Sequence, residues 1–315
     1  MYFVIFILVA VLLLILFSGV YMFRVACRRG KEFPWFDREA MQKTPFADHA
    51  DSIIAADQWL RDHKAEDIYI NSYDGLRLHA LLVEVDNPKG TVLLAHGYRS
   101  CYLLDFSLVL NVYHQMGFNL LIPDQRSHGK SQGKYITFGV KESKDMLRWL
   151  SFHNARCGNI PVLLSGMSMG ASTVLFMANE DLPKNVCGIV ADCGFTSPKA
   201  ILQHVFKKTV HFPAGPIIWV TDLLARIFAG FRLHEKDTRE ILAHSRVPVL
   251  MIHGMEDNFV PCDMTRQGYD ACTSEKQLLL VAGAGHGVSF FHDQVGYTAA
   301  VMYFLKTHVK NIDLG

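Results

Sequence analysis

Pro161-Val162-Leu163-Leu164-Ser165-Gly166-Met167-Ser168-Met169-Gly170-Ala171-Ser172-Thr173-Val174-Leu175-Phe176-Met177-Ala178 is the stretch that decides the fold. A short apolar run suited to a strand enters Gly166-Met167-Ser168-Met169-Gly170, and a helix-like run leaves it. Strand, tight turn and helix, with a serine at the apex, make a G-x-S-x-G elbow. The glycines have a steric reason to be there. So sharp a turn strains the serine's backbone, and side chains two residues to either side would strike the neighbouring strand and helix. The helix N-terminus also places backbone N–H groups and partial positive charge beside the hydroxyl. A bare pentapeptide of this kind also fits a plain glycine-rich turn. The strand before it and the helix after it select the functional reading.

Working outward, short apolar runs recur at 91–95, 119–122, 162–164, 188–191, 249–252 and 277–281, most of them separated by helical stretches. Runs this short and apolar, alternating with helices, indicate a mostly parallel sheet buried on both faces. Residues 68–72 and 78–85, around Tyr73-Asp74-Gly75, read as a hairpin, and 48–62 as a helix with Ile53, Ile54, Trp59 and Leu60 on its apolar face. The interval between Asp192 and Pro248 is too long for a simple connection. It holds Ile217, Ile218, Trp219, Val220, Leu223, Leu224, Ile227 and Phe228, most of which read as core packing. As a whole, the insert at about 195–245 is a lid candidate over the sheet's C-terminal edge.

A serine hydroxyl is a weak nucleophile at neutral pH and needs a base, and the base needs an orienting acid. On this architecture they follow in the order serine, acid, histidine. Downstream of Ser168, an apolar run leads into His253-Gly254-Met255-Glu256-Asp257, where spacing leaves both Glu256 and Asp257 open as the acid. The next run leads into Gly283-Ala284-Gly285-His286-Gly287, which makes His286 the base among fifteen histidines. His253, inside the strand's end, reads as structural, and His292 as the start of the last helix. Upstream, the run at 91–95 ends in His96-Gly97-Tyr98, the place for a second oxyanion donor. The expected donors are the backbone N–H groups of Tyr98 and Met169, with His96 structural.

Taken together these segments resemble the α/β-hydrolase superfamily of serine hydrolases. Within it the chain is similar to the bacterial membrane-anchored serine aminopeptidase-like hydrolases and the fungal Bem46-like proteins. The resemblance rests on Ser72-Tyr73-Asp74-Gly75-Leu76, His96-Gly97-Tyr98, Asp124-Gln125-Arg126-Ser127-His128-Gly129-Lys130-Ser131, the elbow, His253 to Asp257, and Gly285-His286-Gly287, across about residues 68–309. It implies Ser168 as nucleophile, Asp257 as the acid that orients the base, and His286 as base. It implies that 124–131 is a structural turn, and relatives often carry serine where this chain has Cys193. No metal or organic cofactor is implied.

Residues 1–23 contain no Asp, Glu, Lys or Arg, and a run of about 20 apolar residues spans a bilayer. A cleaved signal peptide would have a basic n-region and a shorter apolar core, and Arg24 disfavours a lipoprotein signal ending at Cys27. The reading is a single-pass anchor at 1–23, a basic juxtamembrane linker at 24–46 with Trp35 and Phe36 at the interface, and an α/β-hydrolase domain at 47–315. Arg24, Arg28, Arg29 and Lys31 behind the helix put that domain on the cytoplasmic side of the cell membrane. Seven cysteines without a CxxC pair suit a reducing compartment. Thirty-one basic residues against thirty acidic ones give no sign of a nucleic-acid partner.

The expected activity is hydrolysis of a carboxylic ester or thioester, with a small acyl compound as substrate. A peptidase with the same triad is the alternative, with Glu256 as the candidate acid for a peptide's amino terminus. A non-catalytic interaction protein on the same scaffold is the other. Every expected catalytic residue lies beyond residue 90, so the anchor is expected to serve location and not chemistry.

Overall fold

The computed structural model describes residues 1–31, 34, 38–42, 47–209 and 214–309; Trp35 and Phe36 lie outside this set. Its strands are β1 (Glu66–Asn71), β2 (Arg77–Val83), β3 (Gly90–Ala95), β4 (Phe118–Asp124), β5 (Val162–Met167), β6 (Val186–Asp192), β7 (Val249–Gly254) and β8 (Lys276–Val281). They form one sheet in the order β1-β2-β4-β3-β5-β6-β7-β8. Only β2 runs against its neighbours; from β4 to β8 every pairing is parallel. The chain therefore has the α/β-hydrolase fold.

The helices are α1 (Tyr2–Cys27), α2 (Arg38–Met41), α3 (Ala50–Asp62), α4 (Tyr102–Phe106), α5 (Val109–Gln115), α6 (Val140–Cys157), α7 (Met169–Leu175), α8 (Pro198–Thr209), α9 (Ala214–Leu224), α10 (Thr238–Leu242), α11 (Cys262–Ala271), α12 (Ser289–His292) and α13 (Gln294–His308). They cover both faces of the sheet, which is why its central strands are apolar without alternation. Along β3, Leu93 and Ala95 point into one core layer and Val92 and Leu94 into the other. The first layer packs Trp149 and Leu150 of α6 with α7 and the insert; the second packs Ile53 and Leu60 of α3 with α5 and α13.

Three differences from the sequence reading bear on function. First, α1 continues to Cys27, and Phe23, Ala26 and Cys27 are buried in the first core layer. Residues 28 and 29 then bind the domain instead of forming a free linker: Arg28 bridges Tyr135, and the Arg29 N–H donates to the Lys134 carbonyl at 2.9 Å. Second, the insert is helical as expected, but of the eight apolar residues named above only Ile217, Ile218 and Val220 are buried. Trp219, Leu223, Ile227 and Phe228 are exposed. Third, His292 closes the short helix α12, and Asp293 caps the last helix.

The segment 124–131 is a tight turn held by its own polar groups. The Asp124 carboxylate receives His79 Nδ1 at 2.7 Å and the Lys130 N–H at 2.8 Å. The Arg126 guanidinium forks onto Asp145 at 2.6 and 2.7 Å and reaches Asp74 at 3.0 Å.

Candidate active site

β3, β5, β6, β7 and β8 all end at one edge of the sheet, and the residues singled out above lie just beyond those ends. Ser168 caps α7 with φ 55° and ψ −116°, a conformation few non-glycine residues adopt. Its N–H donates to the Asp192 carbonyl at 2.8 Å, which ties the turn to β6. The flanking glycines leave no space for a side chain. A Cβ on Gly170 would stand 1.8 Å from the Ala95 carbonyl oxygen, and one on Gly166 would stand 2.2 Å from that of Gly170.

His286 Nε2 lies 2.9 Å from Ser168 Oγ, and its Nδ1 lies 2.6 Å from Asp257 Oδ2. With Nδ1–H donating to a carboxylate, Nε2 is the unprotonated nitrogen and can accept the serine proton. Asp257 is buried, and its Oδ1 accepts the N–H groups of Phe259 and Val260 at 2.8 and 2.9 Å. Burial alone would raise its pKa. The hydrogen bonds from His253 and His286, with the His286 charge and the Val260 N–H, outweigh it and hold the carboxyl well below the usual carboxylate range. Glu256, its neighbour in sequence, is exposed.

The N–H groups of Tyr98 and Met169 donate to no protein acceptor among the described residues, so both are free to receive an anionic oxygen. Gly97 brings the first of them close: its Cβ position lies 3.4 Å from that of Ser168. His96 is buried, accepting the Gln125 N–H at Nε2 (3.0 Å) and donating from Nδ1 to the Gly97 carbonyl (2.9 Å).

Sequence reasoning read His253 as structural without its tie to Asp257, and it missed two further supporting residues, Asp105 and Asp192. His253 Nε2 lies 3.0 Å from the Val260 carbonyl, which can only accept, so this nitrogen carries a proton; the same proton reaches Asp257 Oδ2 at 3.1 Å. Its signal in sequence was a histidine four residues before an acid, across the end of a strand. Asp105 receives the Gly97 N–H and the Ser100 hydroxyl, pinning the loop that carries Tyr98. Asp192 is buried with Oδ1 bonded to Ser289 at 3.1 Å, and burial pushes its carboxyl up to about 6. Nothing in the sequence marks these two as different from other acids.

The Cys193 thiol lies with Asp257 and His286 in a group whose ligand-type atoms fall within 4.8 Å of one another. Burial holds that thiol protonated, and Asp257 and His286 are spent on each other.

Over residues 86–236 the chain matches the family described as Serine aminopeptidase, S33, and over residues 223–296 that described as Serine hydrolase (FSH1). It is 26% identical over 221 residues to the uncharacterized protein YqkD of Bacillus subtilis, covering 70% of this chain and 72% of that one. It is 25% identical over 253 residues to the uncharacterized membrane protein YNL320W of Saccharomyces cerevisiae, covering 76% and 79%. Among solved structures, the Pyrococcus furiosus esterase Pf2001 matches with a TM-score of 0.63 at 23% identity, over 78% of this chain and 93% of that one. At that identity the likeness speaks for the fold.

Proposed function

We propose that this chain, a serine hydrolase of the α/β-hydrolase fold, cleaves a carboxylic ester or thioester through an acyl-enzyme on Ser168. The observation that carries the reading is the relay of 2.9 and 2.6 Å from Ser168 Oγ through His286 to Asp257. His286 takes the hydroxyl proton as Oγ attacks the acyl carbon. The resulting oxyanion accepts from the Tyr98 and Met169 N–H groups, and His286 returns the proton to the leaving oxygen or sulfur. A water then repeats the sequence on the acyl-enzyme. No step calls for a metal or cofactor. A peptide substrate would need an acid to receive its amino terminus, and Glu256, the candidate from sequence, is exposed. The apolar surface around the insert favours an acyl chain. A fluorophosphonate probe should label the wild-type protein on Ser168, and a panel of esters, thioesters and aminoacyl amides should show turnover of the first two classes. Turnover of the amides alone would overturn the reading.

Asp257→Asn is expected to lower kcat by about 10⁴-fold, because the imidazole loses the partner that fixes its tautomer. Glu256→Ala should stay within a fewfold of wild type. The reverse pattern would mean that the acid is misassigned.

The reading includes a membrane. α1, 26 residues long and uncharged from Tyr2 to Phe23, is long and apolar enough to cross a bilayer. The basic residues behind it favour a single-pass anchor in the cell membrane with a cytoplasmic catalytic domain. In spheroplasts that domain should resist protease added outside; its digestion would reverse the orientation.

A further inference from the structure

The N-terminal helix does more than trail from the domain. Residues 1–14 of α1 are exposed on every side, whereas Ile15, Ser18, Gly19, Met22, Phe23, Ala26 and Cys27 are buried or half-buried. That spacing is one face of a helix, and it lies against the insert. A Cβ on Gly19 would fall 2.4 Å from a methyl of Val220, and Thr221 Oγ1, which donates to the Ile217 carbonyl at 2.8 Å, also lies 3.3 Å from the Gly19 carbonyl oxygen. Glycine here lets α9 approach the anchor's backbone.

Beside this contact, α1 and α8 stand apart and leave a groove of about 430 Å³. Ser18, Met22 and Val25 of α1 and Leu202, Val205 and Phe206 of α8 line it, and none of its described lining residues is charged. A volume of this size suits a drug-sized or acyl ligand. From Leu14 to Ala26 it follows about 18 Å of helix, at 1.5 Å per residue.

Two further observations identify the occupant. A hydrocarbon core of about 30 Å takes up about 20 residues, so a span starting at Tyr2 leaves the bilayer near Tyr21. The Leu14 end of the groove therefore lies at acyl-chain depth. Where it packs against α1, at Gly19 and Phe23, the insert turns Trp219, Leu223, Ile227 and Phe228 outward, 67%, 40%, 62% and 57% exposed. Water disfavours such a surface, and a bilayer boundary with its preference for tryptophan accepts it. Tyr98 stands at the inner end of the groove. Tyr98, next to Gly97, donates its hydroxyl to the carbonyls of Ala26 (2.9 Å) and Val25 (3.3 Å), and both of these residues line the groove. Val205 and Phe206 of α8 face the groove, and Lys208 of the same helix reaches the carbonyl of Asn258, next to Asp257 in sequence.

We propose that the groove between α1 and α8 binds the acyl chain of a membrane lipid ester, which enters sideways from the bilayer and is led past Tyr98 to Ser168. The proposal rests on the esterase reading above and gives it a substrate class. It assigns α1 a second role as one wall of the binding site.

The test uses full-length Ser168→Ala protein in phosphatidylcholine vesicles containing a phosphatidylcholine with a diazirine-terminated acyl chain. After irradiation, peptide mapping should find adducts on Leu202, Val205 or Phe206 of α8. Their absence overturns the proposal. In a second arm, Val205→Trp on the otherwise native chain should lower the ratio of kcat/KM for a sixteen-carbon over a four-carbon nitrophenyl ester at least tenfold, and Val295→Trp, at an exposed position of α13 away from the groove, should not lower it. An unchanged ratio in Val205→Trp overturns the proposal as well. If wild-type protein hydrolyses neither ester and takes no fluorophosphonate, the esterase reading fails, while the photolabel still reports on the groove.

Discussion

Ser168→Ala should lower kcat on an ester by about 10⁶-fold and abolish fluorophosphonate labelling, with the fold unchanged. Alanine keeps the Cβ and the φ of 55°, so the elbow gains no strain and loses only the hydroxyl. His286→Ala should cost about as much, because a hydroxyl whose neighbouring Nε2 at 2.9 Å is gone has nowhere to send its proton. The double variant should be little worse than either single one, since the two residues act as a unit. The residual rate, about 10³- to 10⁴-fold above water, would come from the Tyr98 and Met169 N–H groups and from binding. Steady-state kinetics on a four-carbon ester, with circular dichroism of each variant, makes the comparison. Full activity in Ser168→Ala would place the nucleophile elsewhere. The buried Cys193 thiol, with His286 within reach, would then be the next residue to replace.

The strands and the elbow were legible because their signals are local. An apolar run of six residues buried on both faces looks the same wherever it occurs, and the Gly166 clash lies within one strand–turn–helix unit, while that of Gly170 is with Ala95 at the end of the adjacent strand β3. Glu256 and Asp257 could not be separated by spacing; the difference lies in which carboxylate turns inward to His253 and His286. The insert was legible as apolar and helical, but not in which of its residues face outward. The hardest part to read was α1. Hydropathy reports that a helix prefers apolar surroundings, and lipid tails and a protein core meet that preference equally. Only the spacing of Ser18, Gly19, Met22, Phe23, Ala26 and Cys27 carries the difference, because small residues at 18, 19 and 26 let other helices and loops come close.

That difference sets up two truncations with opposite outcomes. A chain lacking residues 1–13 loses only side chains exposed on every side of the helix. It should melt as the full protein does and keep its activity on a four-carbon ester in detergent, while its hold on vesicles weakens. A chain starting at Thr44, which the sequence alone suggests would be soluble and active, should instead aggregate or melt far lower. It loses Phe23, Ala26 and Cys27 from the first core layer. It also strips the partners from the Ile136 N–H, which donates to the Cys27 carbonyl at 2.7 Å, and from the Tyr98 hydroxyl and the Arg99 guanidinium, bound to carbonyls of Ala26 and Val25. Burying a phenylalanine contributes about 2–3 kcal/mol and each hydrogen bond about 1 kcal/mol, so at least about 5 kcal/mol is at stake. A typical domain has only about 5–15 kcal/mol in all. The loss falls beside the proposed oxyanion site, since Tyr98, whose N–H is one of the two proposed donors, grips α1 with its hydroxyl. Thermal unfolding and ester turnover of the two truncated chains, side by side, decide the matter. A monomeric, cooperatively melting and fully active chain from Thr44 would show that α1 is an anchor alone, and the groove would lose one of its walls without consequence for short substrates.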